Sequence, residues 1–345
     1  MNLAWWQHMN GGLIVAYSDP INRSTVTCSR RNGRDCHLSY RTLLLANSPL
    51  ICKPAQGQKA WFLEGNVGVD HAVSGKKDKK PFVSEDIQGE MILLGTGTSV
   101  GVPMIGCGCD VCQSDSPENK RTRTSAILGL PGGNLLIDTP PDLRGQLLRE
   151  QIGVVDSVLF THEHADHIFG LDDLRLFQFY LGHAVPLYCE ETVERRIRAS
   201  FDYAFRSDRP THAGSTPQLE FHRISTEPFE VLGTTVIPIR LKHGPRFEVL
   251  GFRIGDIAYC TDTNEIPPES LALLEGLDVL ILDALRRSSH VTHFSLEEAI
   301  EVARQVRPGT TLFTHLSHDL DHQATNQGLP EGMALAYDGQ RIPLH

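Results

Sequence analysis

Thr161-His162-Glu163-His164-Ala165-Asp166-His167 puts three imidazoles and two carboxylates into seven residues. It follows Val154-Val155-Asp156-Ser157-Val158-Leu159-Phe160, an apolar run that reads as a buried strand, and precedes Ile168-Phe169-Gly170-Leu171, where a turn and helix are expected. On extended backbone His162 and His164 point the same way, and Asp166 and His167 return to the same cavity once the chain turns. Such a cluster fills a core poorly and suits two adjacent metal positions better than one. The plain alternative is a solvated polar turn.

The chain has 345 residues, 40% of them hydrophobic, enough for one large domain or two smaller ones. Its formal charge is −10; residues 1–90 carry +3 and the rest −13, which disfavours nonspecific attraction to nucleic-acid backbone while leaving room for a local phosphate site. No apolar span reaches membrane length and no secretory pattern opens the chain, so a cytoplasmic protein is expected. Of the 8 cysteines, Cys107, Cys109 and Cys112 form one tight group, unlike a disulfide scaffold and like a metal clip.

Residues 1–88, with Trp5-Trp6, Arg30-Arg31, Leu43-Leu44-Leu45-Ala46 and a basic run at 76–80, show no sustained period and read as a variable extension, disordered or poorly packed. The regular domain is expected over 89–345. It begins with a strand at Met91-Ile92-Leu93-Leu94 and a close turn at Gly95-Thr96-Gly97, which lacks the full pattern of a nucleotide loop. A strand at 134–138 and a helix from Asp142 to Glu150 precede the histidine cluster. Helical character over 171–181, a strand at 185–188 and a helix at 191–199 follow it. Residues 202–217 lack periodicity and read as a loop or lid. The second half offers strands at 229–232, 234–241, 249–254, 257–262, 279–283, 310–314 and 333–337. Ser295 with Glu298 predicts a capping box opening a helix to Val306.

Several polar residues follow these strand signals: His243, Asp262 and His315. Each alone has an ordinary explanation, a structural histidine or an Asx turn, and their weight is joint. One division assigns His162, His164 and His243 to one metal and Asp166, His167 and His315 to another, with Asp262 bridging. A carboxylate bridges because it has two oxygens and offsets cation repulsion, and two close ions can share a hydroxide while leaving positions for substrate oxygens. Zinc and manganese both suit such nitrogen and oxygen donors.

The run His162-Glu163-His164-Ala165-Asp166-His167 matches the HxHxDH signature of the metallo-beta-lactamase fold. With Gly95-Thr96-Gly97-Thr98, the cysteine clip and His315-Leu316-Ser317-His318, the chain resembles more specifically the PhnP branch, phosphoribosyl cyclic phosphodiesterases, over about residues 91–345. The resemblance implies an α/β fold, the four-layer αββα sandwich. It also implies two divalent ions (Zn2+ or Mn2+) at the active site and a structural Zn2+ held by Cys107, Cys109, Cys112 and His318. His293 is implied as general acid, with His290 supporting substrate or water, while Asp166 is a ligand that also orients the nucleophile. Asp138 and Thr161 are candidates for fixing histidine tautomers. The expected substrate is a small cyclic phosphodiester, such as phosphoribosyl 1,2-cyclic phosphate, and a homodimer is implied. Alternatives are an RNA-processing phosphodiesterase of the tRNA 3'-end type, a thioester or lactam hydrolase, and a non-enzymatic zinc-dependent interaction module.

Overall fold

Side-chain alternation in the strand Glu90–Gly95 sets the layering. Met91 and Leu93 enter the core between two sheets, whereas Ile92 and Leu94 enter a second core on the outer face, as a period of two requires. The computed structural model describes residues 26–31, 35–40, 84–206, 212 and 214–345. The chain divides into two compact units, Met1–Lys77 and Asp78–His345. In the first, Val26–Arg31 pairs antiparallel with Asp35–Tyr40. This pairing escaped the sequence reading, which found no sustained period there, although Asp35–Tyr40 alternates polar residues with Cys36, Leu38 and Tyr40. Trp5-Trp6, residues 43–46 and the basic run lie outside the described residues.

The second unit contains two seven-stranded sheets. In one, Gln340–Pro343, Glu90–Gly95, Ser125–Leu130 and Gly133–Ile137 pair antiparallel, and Ser157–Leu159, Val185–Cys189 and Leu219–Arg223 continue in parallel. The other repeats the pattern, with Phe229–Val231, Thr234–His243, Phe247–Ile254 and Ile257–Cys260 antiparallel and Val279–Asp283, Thr310–Thr314 and Met333–Leu335 parallel. Leu128, Ile137 and Leu159 of one sheet meet Leu250, Phe252 and Ile281 of the other in the central core. Outside the first sheet, Ile127, Leu136 and Val158 pack against Leu143, Leu147 and Ile197 of helices Leu143–Arg149 and Glu191–Ser200. Outside the second, Leu280, Leu282 and Phe313 pack against Leu296 and Ala299. The result is the helix, sheet, sheet, helix order expected from the resemblance. Strands buried on both faces explain the near-continuous apolar runs.

The helix Leu296–Val306 opens with the predicted capping box: the Glu298 N–H donates to Ser295 Oγ at 3.3 Å, and the Ser295 N–H donates to Glu298 Oε2 at 2.7 Å. The span 171–181 splits into a 3-10 segment, Leu171–Leu176, and a helix, Phe177–Leu181. Within the span read as a lid, Asp202–Phe205 is a short helix and 207–211 lie outside the described residues. Three strands of the second unit escaped the sequence reading. Leu219–Arg223 and Gln340–Pro343 are short sheet edges, the first alternating only at Leu219 and Phe221, and Ser125–Leu130 is a short run whose glycine weakens a strand signal. That glycine, Gly129, is required by the backbone at Ile87, whose carbonyl oxygen lies 2.0 Å from where a Cβ would stand.

Candidate metal centre

Every candidate ligand of the two histidine clusters sits at the end of a strand or in the turn that follows it. His162, His164, Asp166 and His167 follow Ser157–Leu159; His243 ends its strand; Asp262 follows Ile257–Cys260; His315 follows Thr310–Thr314. The turns there are sharp. Asp138, Asp262 and His315 adopt left-handed backbone, with φ of 62°, 55° and 59°, a conformation disfavoured for non-glycine residues and held only by surrounding structure.

The donor atoms of His162, His164 and His243 lie within 4.8 Å of one another, as do those of Asp166, His167, Asp262 and His315. Asp262 also groups with His243 and His293, so it lies near both clusters. A third, separate group joins Cys107, Cys109, Cys112 and His318. Its His318 Nδ1 lies 3.3 Å from both Cys107 Sγ and Cys109 Sγ, so His315 and His318 fall in different donor groups although three residues apart in sequence.

Hydrogen bonds fix which imidazole nitrogens face the cavity. Asp138 accepts from the Thr161 N–H at 2.8 Å and the Thr161 hydroxyl at 2.7 Å, so His167 Nδ1, 2.7 Å from Asp138 Oδ2, is a donor. Thr161, having given its proton to Asp138, accepts from His162 Nδ1 at 3.0 Å. His243 Nδ1 donates to the Thr292 carbonyl at 2.9 Å. When such a ring is neutral, its second nitrogen is a bare acceptor. His162 Nε2, His167 Nε2 and both nitrogens of His315 are buried with no hydrogen-bond partner. Buried acceptors aimed at one another and at carboxylates are costly unless a cation lies between them, so these residues fit divalent ions.

The protonation states agree. Burial holds His162, His243 and His315 below the ordinary histidine pKa, which keeps them neutral donors. Burial opposes charge on Asp262, but His315 and His167 outweigh it and hold the carboxyl well below the usual range; Asp166 is lowered in the same way by His167. His167 is raised well above its ordinary value despite burial, because Asp262, Asp166 and Asp138 surround it. A proton on His167 and a metal ion answer the same negative charge. In the clip, a backbone N–H from Cys112 and the His318 ring lower Cys109 to about 6, whereas burial raises Cys112 to about 11.

His293 stands beside both clusters, 8% exposed, with its ring stacked on His315 at 4.5 Å. Its Nδ1 donates to Asp283 Oδ2 at 2.7 Å, and the Thr263 N–H donates to the same oxygen at 3.0 Å. Burial lowers its pKa, but Asp283 more than offsets this and raises it to about 9. Asp283 was missed as a site residue, although it ends the apolar strand Val279–Asp283 just as Asp138 follows the strand Gly133–Ile137. His290 lies nearby, its ring 5.3 Å from that of His293, and its Nδ1 approaches the Thr292 hydroxyl at 3.1 Å.

One turn couples the two halves of this arrangement. Gly244 has φ 73°, and an added Cβ would stand 2.6 Å from Thr292 Cγ2, in the segment that leads to His293. Gly244→Ala is expected to cost about 1–3 kcal/mol and to lower activity with it. Chemical denaturation measures the first effect, and an unchanged midpoint would contradict this account of the turn.

The Gly95-Thr96-Gly97 turn lies beside the site, as read. Gly97 bridges to Leu316, next to His315. Asp338 pins the turn by accepting from the N–H groups and hydroxyls of both Thr96 and Thr122. Arg121, 1% exposed, donates to the carbonyls of Ser317 and Leu320 at 2.8 and 2.6 Å. It thereby clamps the loop that carries His318 and leaves His315; nothing in the sequence marked it.

A family model described as a beta-lactamase superfamily domain matches residues 133–316. The crystal structure of a diphosphatase from the PhnP family is similar at 43% identity and a TM-score of 0.69, covering 74% of this chain and 98% of that one. An octanoyltransferase of Porphyromonas gingivalis is 40% identical over 72% of this chain, which spans only 50% of that longer relative. A ribonuclease Z of Mycolicibacterium gilvum is 25% identical, with 66% of this chain and 83% of the relative aligned. Family model, PhnP-family likeness and the two-sheet sandwich agree: the chain belongs to the beta-lactamase superfamily, with the metallo-beta-lactamase fold, in its PhnP-like branch.

Proposed function

We propose that this protein is a metal-dependent phosphodiesterase acting on a small cyclic phosphodiester, with phosphoribosyl 1,2-cyclic phosphate as the leading substrate. The observation that carries the reading is the pair of donor clusters sharing Asp262, with the buried His293–Asp283 pair against them. His162, His164 and His243 would hold one divalent ion, and Asp166, His167 and His315 the other, with Asp262 between. When bound, such ions supply Lewis acidity toward phosphate oxygens and activate water as a nucleophile.

The chain's own residues do the rest. Asp138 and Thr161 keep the Nδ1 protons of His167 and His162 in place, so that their Nε2 lone pairs stay aimed at the cavity. His293 gives a proton to the leaving alkoxide oxygen as the P–O bond breaks, and Asp283, accepting from Nδ1, stabilises the imidazolium before transfer. Asp283 is a positioning residue here. Among the described residues no helix is long and apolar enough to cross a membrane.

A comparison of ribosyl 1,2-cyclic phosphate, 2',3'-cyclic nucleotides and precursor tRNA, each with defined metal, tests the substrate class. The reading predicts the first or second to be turned over best. Preference for precursor tRNA would move the assignment to RNA processing, which the ribonuclease Z likeness makes the natural second reading. The −13 charge of residues 91–345 argues against a large nucleic-acid contact.

For the clip we propose a structural zinc. Cys109→Ser is expected to remove about one zinc per chain and lower the melting temperature by several degrees, with a smaller effect on turnover of an activated aryl phosphate. Equal zinc content and equal stability in the variant would contradict it.

A further inference from the structure

Three of the candidate ligand rings are held from behind. Nδ1 of His167 meets Asp138, that of His162 meets Thr161, and that of His243 meets the Thr292 carbonyl. His315 differs: its Nδ1 is buried without a hydrogen-bond partner, while its Nε2, equally unpaired, stands 3.4 Å from Asp262 Oδ1. With Nε2 turned toward an ion beside Asp262, the ring proton belongs on Nδ1, and a buried N–H needs an acceptor.

Asp283, fully buried, supplies a carboxylate on that side. Its Oδ2 lies 4.0 Å from His315 Nδ1 and also accepts from His293 Nδ1 at 2.7 Å, whereas its Oδ1 is buried without a partner. The two imidazoles stack with centroids 4.5 Å apart and planes 14° from parallel, and all three residues bring donor atoms within 4.8 Å of one another. Strand pairing sets this up. Asp283 closes Val279–Asp283 directly beside Thr314, and His315 is the next residue along. A carboxylate has two oxygens, enough for two ring edges, and aspartate χ2 is soft, so Oδ1 can turn toward His315 without moving the chain.

We propose that Asp283 positions both rings, the proposed acid His293 through Oδ2 and the candidate ligand His315 through Oδ1, so that one carboxylate ties the proton donor to the metal centre. The proposal rests on the metal-dependent phosphodiesterase reading and adds to it a role for Asp283 in holding an ion. Asp283 acts through His315 and is not itself a ligand.

The test compares ion affinity, by chelator competition, in the wild type, Asp283→Asn and His293→Ala. Asparagine keeps one acceptor and presents N–H groups in place of the other, so it can serve only one of the two rings. Asp283→Asn is expected to bind one active-site ion about tenfold more weakly while keeping the other and the clip zinc, and His293→Ala to keep wild-type affinity for both. A measurement on the wild type stands beside the variants: with cobalt(II) bound, the His315 Nδ1 proton should give a paramagnetically shifted resonance protected from exchange. Unchanged affinity in Asp283→Asn, an equal loss in His293→Ala, or a freely exchanging His315 proton overturns the proposal. None of these readings needs a substrate, so a metal-loaded wild type that leaves every phosphodiester intact strikes the phosphodiesterase reading alone.

Discussion

Asp262→Ala is expected to lower divalent-metal content and reduce phosphodiester turnover by on the order of 1000-fold, the several kcal/mol that Lewis-acid stabilisation supplies. The size follows from position. Asp262 is 2% exposed, joins both donor clusters, and lies 3.3 Å from His167 and 3.4 Å from His315. Its loss leaves Asp166 as the single carboxylate among the proposed ligands, with less charge to hold two cations. Metal analysis alongside kinetics separates this from unfolding, since the clip would keep its zinc. A variant with wild-type metal content and turnover would remove the bridging role.

His293→Ala is expected to keep the active-site ions and to slow a ribosyl cyclic diester by about 100- to 10,000-fold, the usual range for a general acid. Bis-p-nitrophenyl phosphate, whose leaving group needs no proton, should lose much less. Asp283→Asn should follow the same selectivity with a smaller loss, because it removes the partner that holds Nδ1 at 2.7 Å and keeps His293 protonated. Equal losses on both substrates would argue that His293 orients or binds and does not donate. Loss of metal in His293→Ala would instead make it a ligand, an arrangement its grouping with His243 and Asp262 makes worth measuring.

Much of this site was legible because its chemistry is concentrated in polar residues that end apolar runs. The 161–167 motif, His243, Asp262 and His315 each interrupt or end a strand signal, and their donor atoms converge once the strands are assembled into sheets. Asp283 failed to register because an acid after an apolar strand is an ordinary turn signal; only the 2.7 Å contact with His293 separates it from one. Arg121 and Asp338 act through backbone groups 196 and 242 residues away, a separation that no local pattern encodes. The fold was legible where strands are buried on both faces. It failed at edges such as Leu219–Arg223, where tertiary pairing overrides a polar composition.

We propose that the two donor clusters act as one metal-dependent phosphodiesterase centre. The most direct test is chelation followed by titration of zinc or manganese, with ribosyl 1,2-cyclic phosphate hydrolysis and bound metal measured at each step. The account predicts that activity vanishes on chelation and returns as two ions per chain bind beyond the clip zinc. Full activity in the stripped protein, or recovery complete with none of those ions bound, would contradict it.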